Sequence, residues 1–445
     1  MDLSMLKDPQ ETVDSSRVPV EKTGKADRPL HDFPEHISPQ REAPGPLAGM
    51  RVIDFTHFVA GPFSAMILAD LGAEVIKVEP PRGEDFRQFP PADPALDGQG
   101  SPFLWANRNK KSIALNLKSK AGLEIAKKLV AGADVLVENY STGVMERFGL
   151  GYEDLRETHP KLIYTSVSAY GRTGPYADRL GFDTVIQAES GFMSFNGYPD
   201  REGVRVLPVI MDTSTALMAA NGILAALLRR ARDGIGQRVD VSLYDTGMTM
   251  VGYGAMQYLM NGVEPKRLGN SSSDTAPTGA FRASDASFFL SSSSTAVFQR
   301  VFRVIGRDDI ADDPELQDRI ERLARHDELR DTLNAAFGQK PWAYWEPKLR
   351  EAGVPAGEIR SLADALHSKE TRAAGLVTKI PHPTAGFVPN IALPIRLSDT
   401  PMVDPVAAPT VGQHTTEILG NMGYDPDQIA GLEAAGAFGP NGITQ

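Results

Sequence analysis

The chain has 445 residues, no cysteine and a formal net charge of −11, with 41% hydrophobic and 23% charged residues. This composition is ordinary for a globular protein and leaves room for two or three domains. The acidic balance, without a dense run of Lys and Arg, argues against nucleic acid as a partner. The lack of cysteine excludes disulfides, thiolate metal sites and cysteine nucleophiles.

The first residues read MDLSMLKDPQETVDSS and lack the basic start and apolar block of a secretory signal. We see no run of about 18 apolar residues of the kind that a membrane span requires. The sequence therefore predicts a cytoplasmic protein without a membrane association. Residues 1–47 are polar and rich in proline, so we expect a poorly ordered extension, unless it wraps over a partner subunit.

Strands and helices alternate after residue 48. The apolar run MRVIDF predicts a strand, THFVAGP a loop and FSAMILADLG a helix, and EVIKVE, DVLVENY and KLIYTSVSAYG predict further strands. Ser119 is a good N-cap for the predicted helix between the strands EVIKVE and DVLVENY. Continuous apolar strands separated by helices predict an α/β fold with an open parallel, Rossmann-like sheet covered on both faces.

The sequence pattern changes twice in the later part of the chain. We interpret Asp212 as the N-cap of a long helix that ends at Gly234, and QRVDVSLYD as the strand that follows it. We assign residues 48–261 to a large domain. Residues 262–370 contain a hairpin and amphipathic helices, and we assign them to a smaller α+β domain. Residues 371–445 form a return segment with closing helices.

Several nucleotide and metal motifs are missing. The first strand-to-helix turn has one glycine where the dinucleotide fingerprint needs three, which disfavours a nicotinamide-dependent oxidoreductase. There is no P-loop and no G-x-S-x-G nucleophile elbow. There is also no H-E-x-x-H, and the eight histidines are scattered without ligand spacing, so we expect no metal site. The small residues of the turn Val59–Pro62 at a helix start would let backbone N–H groups approach an anion, although the pattern alone favours a plain tight turn.

Five segments, taken in order, resemble the class III CoA-transferases, the formyl-CoA transferase and carnitine CoA-transferase type. They are LAGMRVIDFTHFVAGPFSAMILADLGAEVIKVEPPRGEDFR, NRNKKSIALNLKS, ADVLVENYSTGVMERFGLGYEDL, SAYGRTGPYADRLGFDTVIQAESGFMSFNG and VGQHTTEILGNMGY. The resemblance implies a large domain built from both chain ends, a small domain, and two chains threaded through each other as an interlocked homodimer. It implies CoA and acyl-CoA as substrates, with no permanently bound cofactor.

The same resemblance suggests catalytic residues. The family's nucleophilic aspartate lies in a G-x-x-D turn, which matches Gly197–Asp200, so Asp200 is the predicted nucleophile; from the residues alone it would be a solvated turn residue. A carboxylate can attack a thioester to give a mixed anhydride and then an enzyme–CoA thioester. Tyr170 is the predicted hydrogen-bond donor to the oxyanion.

The resemblance also assigns a CoA site by motif position. Basic residues in it would suit the phosphate charges of CoA. The predicted CoA-binding residues are His57, Phe58, Val59, Ala60, Arg108, Lys110, Asn139, Tyr140 and Arg147.

The sequence departs from the family at some points and leaves alternatives. Ser168 replaces a familiar lysine, and the glycine-run loop of formyl-CoA transferases is missing, which disfavours oxalate as the acceptor. An alpha-methylacyl-CoA racemase would need a histidine at Phe182, although Asp212 matches the racemase carboxylate; a non-catalytic acyl-CoA binder is the other alternative. Arg201 and Arg205, close to Asp200, would attract the second carboxylate of a dicarboxylate acceptor such as succinate or mesaconate, although solvated surface residues explain them equally well.

Overall fold

A computed structural model describes residues 29–38, 44–91, 99–440 and 442–443. Most of the predicted extension, residues 1–28 and 39–43, lies outside the described residues. In the part that is described, Phe33 is buried and stacks on His367, with ring centroids 4.5 Å apart. A 3₁₀ turn, Pro29–Asp32, precedes it.

The large domain is built on six parallel strands in the order β3-β2-β1-β4-β5-β6. The strands are β1 Arg51–Phe55, β2 Glu74–Glu79, β3 Lys110–Ala114, β4 Val135–Glu138, β5 Ile163–Ser168 and β6 Arg238–Ser242. Their apolar residues are buried along nearly the whole of β1 to β5, as expected for strands covered on both faces. The predicted α/β fold with a parallel sheet is thus confirmed.

Helices cover both faces of this sheet. Val52 packs with α1 (Ala60–Asp70) and α8 (Ile210–Asp233), whereas its neighbour Ile53 packs with α3 (Lys120–Ala131) on the other face. Shorter helices complete this region: α2 Ser101–Asn107, α4 Val144–Arg147, α5 Tyr152–Leu155, α6 Asp183–Glu189, α7 Phe192–Phe195, α9 Leu243–Met250, α10 Gly252–Asn261 and the 3₁₀ turn Asp85–Gln88.

A second apolar core lies between residues 281 and 354, where Phe288, Phe337 and Trp345 pack together. Its antiparallel sheet consists of β7 Gly279–Arg282, β8 Ser287–Leu290 and β9 Ala356–Glu358. Its helices are α11 Thr295–Val304, α12 Asp308–Ala311, α13 Arg319–Ala324, α14 His326–Phe337 and α15 Trp342–Glu351, with a 3₁₀ turn Glu315–Gln317 and the nearby α16 Leu362–Leu366 and α17 Lys369–Ala373.

The chain then returns to the large sheet. It forms the antiparallel pair β10 Val377–His382 and β11 Gly386–Ile391, then α18 Thr415–Asn421 and α19 Pro426–Ala434. Ile418 and Phe438 are buried in the same core as Ile53 of β1. Both ends of the chain therefore contribute to the core of the large sheet, while the exact domain bounds stay a prediction.

Two local predictions were wrong. Helix α8 begins at Ile210, so Asp212 lies inside its first turn, and the cap comes from Asp183, whose carboxylate accepts the N–H groups of Met211 (2.7 Å) and Asp212 (3.3 Å). The predicted strand QRVDVSLYD ends at Ser242, whose hydroxyl caps α9 through the N–H of Asp245. In both places a side-chain contact, invisible to periodicity, sets the boundary.

Helix α8 carries a long apolar surface. Among the described residues it is the one helix long and apolar enough to cross a membrane, with a mean hydropathy of 1.3 over the relevant window, of which 39% is buried. This finding differs from the expectation that no such segment exists, but core helices meet the same criterion. Leu217 and Leu228 on α8, and Leu259 and Met260 on α10, are all exposed in the single chain.

Candidate active site

A cavity of about 700 Å³ opens where the loops after β1 and β4 diverge. These two strands are neighbours whose following chains run to opposite sides of the sheet, and such a switch point is where open α/β sheets bind ligands. Residues from five stretches line it, including Thr56, His57, Phe58, Arg82, Glu84, Asn116, Lys118, Tyr140, Val144, Phe148, Gly439 and Pro440. The cavity therefore contains His57, Phe58 and Tyr140 of the predicted CoA site.

Asn139 and His57 join the two loops directly. The amide oxygen of Asn139 accepts the backbone N–H of His57 at 2.9 Å, and its NH₂ group donates to the His57 carbonyl at 2.8 Å. Asn139 is thus brought to the predicted site, but both of its polar atoms are used to fix the loop that forms the wall. Val59 and Ala60 follow in the chain and are buried behind that wall at the start of α1.

The wall of the cavity is electrically neutral at His57. Burial, with the nearby positive charge of Lys77, lowers the pKa of His57 to about 4, so the imidazole is uncharged at neutral pH. Its Nδ1 atom is buried without a hydrogen-bond partner. Burial raises the pKa of Tyr140 to about 12, and its ring lies 5.6 Å from that of His57.

Arg82 and Lys118 are the exposed cations of the cavity lining, and Arg82 pairs at 2.9 Å with the exposed Asp85, which also lines the cavity. Arg82 follows β2 and Lys118 follows β3, and the sequence analysis did not select either. The signal was available, because the carboxyl ends of parallel strands meet at one edge of a sheet. The predicted Arg147 is also exposed and ends α4, whose first residue, Val144, lines the cavity.

Arg108 and Lys110 are not brought to the cavity. They stand at the amino end of β3, and both are buried. Arg108 pairs through two nitrogens with Asp70, and Lys110 donates at 2.8 Å to Asp54, which also lies inside the protein. Because their donors are used internally, their placement gives no support to the predicted phosphate contacts.

Tyr170 follows β5 and is already engaged. Its hydroxyl donates to Glu189 at 2.8 Å, and the guanidinium of Arg179 lies over its ring, 4.5 Å from the centroid. Since a phenol has one hydrogen to donate, an oxyanion would have to displace Glu189. The predicted oxyanion contact therefore requires a rearrangement of this group.

Asp200 lies in an exposed turn. Its side chain is 72% exposed, and its described ionic partner is the adjacent Arg201, at 3.7 Å. The turn packs through Tyr198 against the chain around Gly269 and Asn270, at the start of the second core. None of the described contacts of this turn reaches a residue that lines the cavity.

Asp212 has a different environment. It lies partly buried in the first turn of α8, and burial together with the nearby charge of Asp183 raises its pKa from 3.8 to about 7. A strongly perturbed carboxyl next to a second one is a frequent mark of an active site. The sequence analysis noted that Asp212 matches the racemase carboxylate but interpreted it as a helix cap and did not select it as the nucleophile.

Aromatic and apolar contacts connect Asp212 with the cavity. The ring of Phe182, directly before Asp183, lies 5.8 Å from the ring of Phe58 on the cavity wall. Val209, at the N-cap of α8, packs in one cluster with Phe58 and Val59. The start of α8 therefore borders the loop after β1. Among the described residues, no group of three His, Asp or Glu side chains could hold a metal ion.

Comparison with known proteins identifies the family of the chain. Residues 47–415 match the family model described as CoA-transferase family III. A succinyl-CoA:glutarate CoA-transferase of Mus musculus is 37% identical over 395 residues, covering 88% of this chain and 90% of that protein. An acetyl-CoA:oxalate CoA-transferase of Acetobacter aceti is 37% identical over 356 residues, covering 80% and 90% of the two chains.

A solved structure has the same fold. The CAIB/BAIF family protein from Brucella suis superposes with a TM-score of 0.76 at 34% identity, covering 85% of this chain and all of the other. The chain belongs to CoA-transferase family III. It is an enzyme that transfers CoA, as the resemblance in the sequence implied.

Proposed function

We propose that this enzyme moves CoA from an acyl-CoA thioester to a free dicarboxylic acid through covalent intermediates on an aspartate, in a homodimer. The observation that carries the proposal is the carboxyl of Asp212, partly buried, with a raised pKa, beside the loop that walls the CoA-sized cavity. The rim cations Arg82 and Lys118, with the nearby Arg147, suit the phosphate groups of CoA.

The geometry favours Asp212 over Asp200 as the nucleophile. A carboxylate that attacks a thioester must be poorly solvated and must be held in place. Asp212 meets both requirements, because it is fixed in a helix turn whose N–H groups Asp183 holds. The exposed turn of Asp200 meets neither within one chain, although a partner subunit could cover it. Asp200 stays a prediction from the resemblance and is the competing assignment.

The chemistry balances without an outside proton donor. The carboxylate attacks the thioester carbonyl, the C–S bond breaks, and CoA leaves as a thiolate from a mixed anhydride. The thiolate then attacks the aspartyl carbonyl and releases the original acid, which leaves an aspartyl–CoA thioester. The acceptor carboxylate attacks this thioester, and the released thiolate takes the acceptor's acyl group, which regenerates the aspartate.

A dicarboxylate is the proposed acceptor. Two relatives are named for glutarate and for oxalate, both of which have a second carboxylate. Arg201 and Arg205 are exposed on the loop before α8 and would attract such a group. The oxalate relative weakens the argument that a missing glycine-run loop disfavours that acid.

The exposed apolar residues of α8 and α10 support the homodimer. A monomer seldom leaves so many large apolar side chains in water along two consecutive stretches. A second copy of the chain would cover them, which fits the interlocked pair that the resemblance implies. A cytoplasmic location fits the lack of cysteine.

The test uses succinyl-CoA as donor with glutarate, oxalate or acetate as acceptor, and measures the new thioester by chromatography. Transfer to a dicarboxylate that exceeds transfer to acetate by at least about tenfold, or 1.4 kcal/mol, would support the proposal. Equal rates would refute the acceptor class. Exchange of the proton next to the thioester with deuterated water, without transfer, would favour the racemase reaction instead.

A further inference from the structure

The loop Thr56–Phe58, which walls the cavity, is fixed by side chains at every residue. Asp54 accepts the N–H of Thr56 at 2.8 Å, and Asn139 binds both backbone groups of His57. The remaining contacts come from two charged residues, Lys77 and Glu84. These two have no part in the chemistry proposed above.

Phe58 needs such support because its backbone is strained. Its φ is +63°, in the left-handed region that a bulky side chain rarely adopts. The carboxylate Oε2 of Glu84 accepts the N–H of Phe58 at 2.8 Å. A charged acceptor makes this a strong hydrogen bond, and it holds the residue in the conformation that turns its ring toward Phe86, Phe89 and Phe182.

Lys77 holds Glu84 in its turn. Its ammonium lies 2.7 Å from the other oxygen of Glu84, Oε1, and also donates to the Thr56 carbonyl at 2.8 Å. The Lys77 side chain is fully buried, and that of Glu84 is 4% exposed. Burial lowers the pKa of Lys77, but the carboxylates of Glu84, Asp54 and Glu79 outweigh that effect and raise it, so the Lys77 ammonium stays charged at neutral pH.

We infer that Lys77 and Glu84 form a positioning pair for CoA binding: the pair holds the strained loop in the shape that the cavity requires. This inference rests on the proposed use of the cavity for CoA. Neither residue acts on the reacting atoms. Oε2 of Glu84 accepts a hydrogen bond and Oε1 faces the Lys77 ammonium in an ion pair, so the negative charge of Glu84 is balanced within the protein although the residue lines the cavity.

The test is the affinity for CoA alone, measured by calorimetry, with steady-state kinetics beside it. We expect Glu84→Ala to weaken CoA binding and raise the KM for acyl-CoA about tenfold, the equivalent of one lost charge-assisted hydrogen bond, while kcat at saturation changes less than about threefold. The double variant Lys77→Met with Glu84→Gln removes both charges but keeps an acceptor for the Phe58 N–H, so it should recover part of the affinity.

Glu74→Gln is the matched control. Glu74 begins the same strand and is paired with Arg51 and Lys111, but it lies away from the cavity, so its loss should leave CoA affinity unchanged. If Glu84→Ala binds CoA within twofold of the wild type, or loses affinity no more than Glu74→Gln, the inference is overturned. A merely structural role would lower the melting temperature and the active fraction without the change in KM.

Amide hydrogen exchange tests the inference on the unaltered protein, should Glu84→Ala not fold. The N–H groups of His57 and Phe58 should exchange at least about a hundredfold more slowly than unprotected amides without ligand. Free exchange would overturn the inference. If the wild type binds CoA but transfers it to no acid, the proposed function fails, while the affinity comparison still tests the role of Lys77 and Glu84. If the wild type does not bind CoA at all, the proposed function and this inference are both overturned.

Discussion

Replacing Asp212 by Asn, in parallel with Asp200→Asn, separates the two candidate nucleophiles. An amide cannot form the aspartyl anhydride, so the variant that lacks the true nucleophile should lose about a thousandfold or more in kcat. We expect this loss for Asp212→Asn. Asp200→Asn should stay within about threefold of the wild type, because a solvated turn residue contributes little to a transition state.

Asp212 should also affect the stability of the protein, and the structure gives the magnitude of that effect. The pKa of Asp212 rises from 3.8 to about 7 because of burial and the charge of Asp183. At 1.36 kcal/mol per pH unit, this corresponds to roughly 4 kcal/mol in favour of the neutral carboxyl in the folded protein. The unfolded chain releases this proton at lower pH, so the residue costs stability progressively as pH rises from about 4 to 7.

Asn carries no charge and avoids this cost. Asp212→Asn should therefore be more stable than the wild type at pH 8, by up to roughly 4 kcal/mol, and the difference should vanish near pH 4. Chemical denaturation at several pH values measures it. In the wild type, kcat/KM should increase about tenfold per pH unit below 7 and become level above it, since the carboxylate is the reactive form.

Covalent mapping gives the direct readout. The enzyme is incubated with succinyl-CoA, treated with hydroxylamine to convert an aspartyl thioester to a hydroxamate, and digested with trypsin. Cleavage at Arg and Lys places Asp200 in peptide 180–201 and Asp212 in peptide 206–229, so the label identifies the residue. A label on peptide 180–201, with activity retained in Asp212→Asn, would refute the reasoning and restore Asp200.

Three further outcomes are expected. Gly61→Ala should lower the melting temperature, because a Cβ there would lie 2.5 Å from the Thr56 side chain. Gly252→Ala should not lower it, because a Cβ there would have nothing within 4 Å, and equal effects of the two variants would contradict the packing argument. Leu259→Glu should shift a homodimer toward monomer in sedimentation velocity, because it places a charge on the exposed apolar face; an unchanged mass would count against that interface. His57→Asn should bind CoA more weakly but with the same pH dependence as the wild type between pH 6 and 8, since a histidine with a pKa of about 4 does not titrate in that range. If the CoA affinities of the two proteins, measured by calorimetry, diverge with pH, His57 does titrate there.

The main fold could be predicted because its signals are local. The buried strands are visible in the sequence as continuous apolar runs. Ser119 marks a helix start because its hydroxyl accepts a backbone N–H, and Gly234 marks a helix end because, without a Cβ, it adopts a left-handed φ of 75°. Asp212 shows where this reasoning stops. Its position before an apolar run suggested a cap, but the cap is Asp183, which lies 29 residues earlier and meets α8 only in the fold.

The candidate site was predictable in part for a similar reason. His57 follows one predicted strand and Tyr140 ends another, and neighbouring parallel strands bring such residues to one edge of the sheet. Arg108 and Lys110 also look like available cations in a basic motif, yet they precede and begin β3 and reach Asp70 and Asp54 inside the protein. Whether a cation faces a ligand or a buried carboxylate depends on a partner distant in sequence, and composition alone does not reveal it.

The order of the strands explains why the cavity and the carboxyl pair are adjacent. Because β1 lies between β2 and β4, the loop after β1 receives Lys77 from one neighbouring strand and Asn139 from the end of the other. The same loop leads into α1, which packs against α8, the helix that carries Asp212. A change that loosens this loop should therefore weaken CoA binding first, and should disturb the nucleophile indirectly, through α1 and through the contacts of Phe58 with Phe182 and Val209. Separate effects on KM and kcat are the consequence, and they distinguish the positioning pair from the carboxylate that forms the bond.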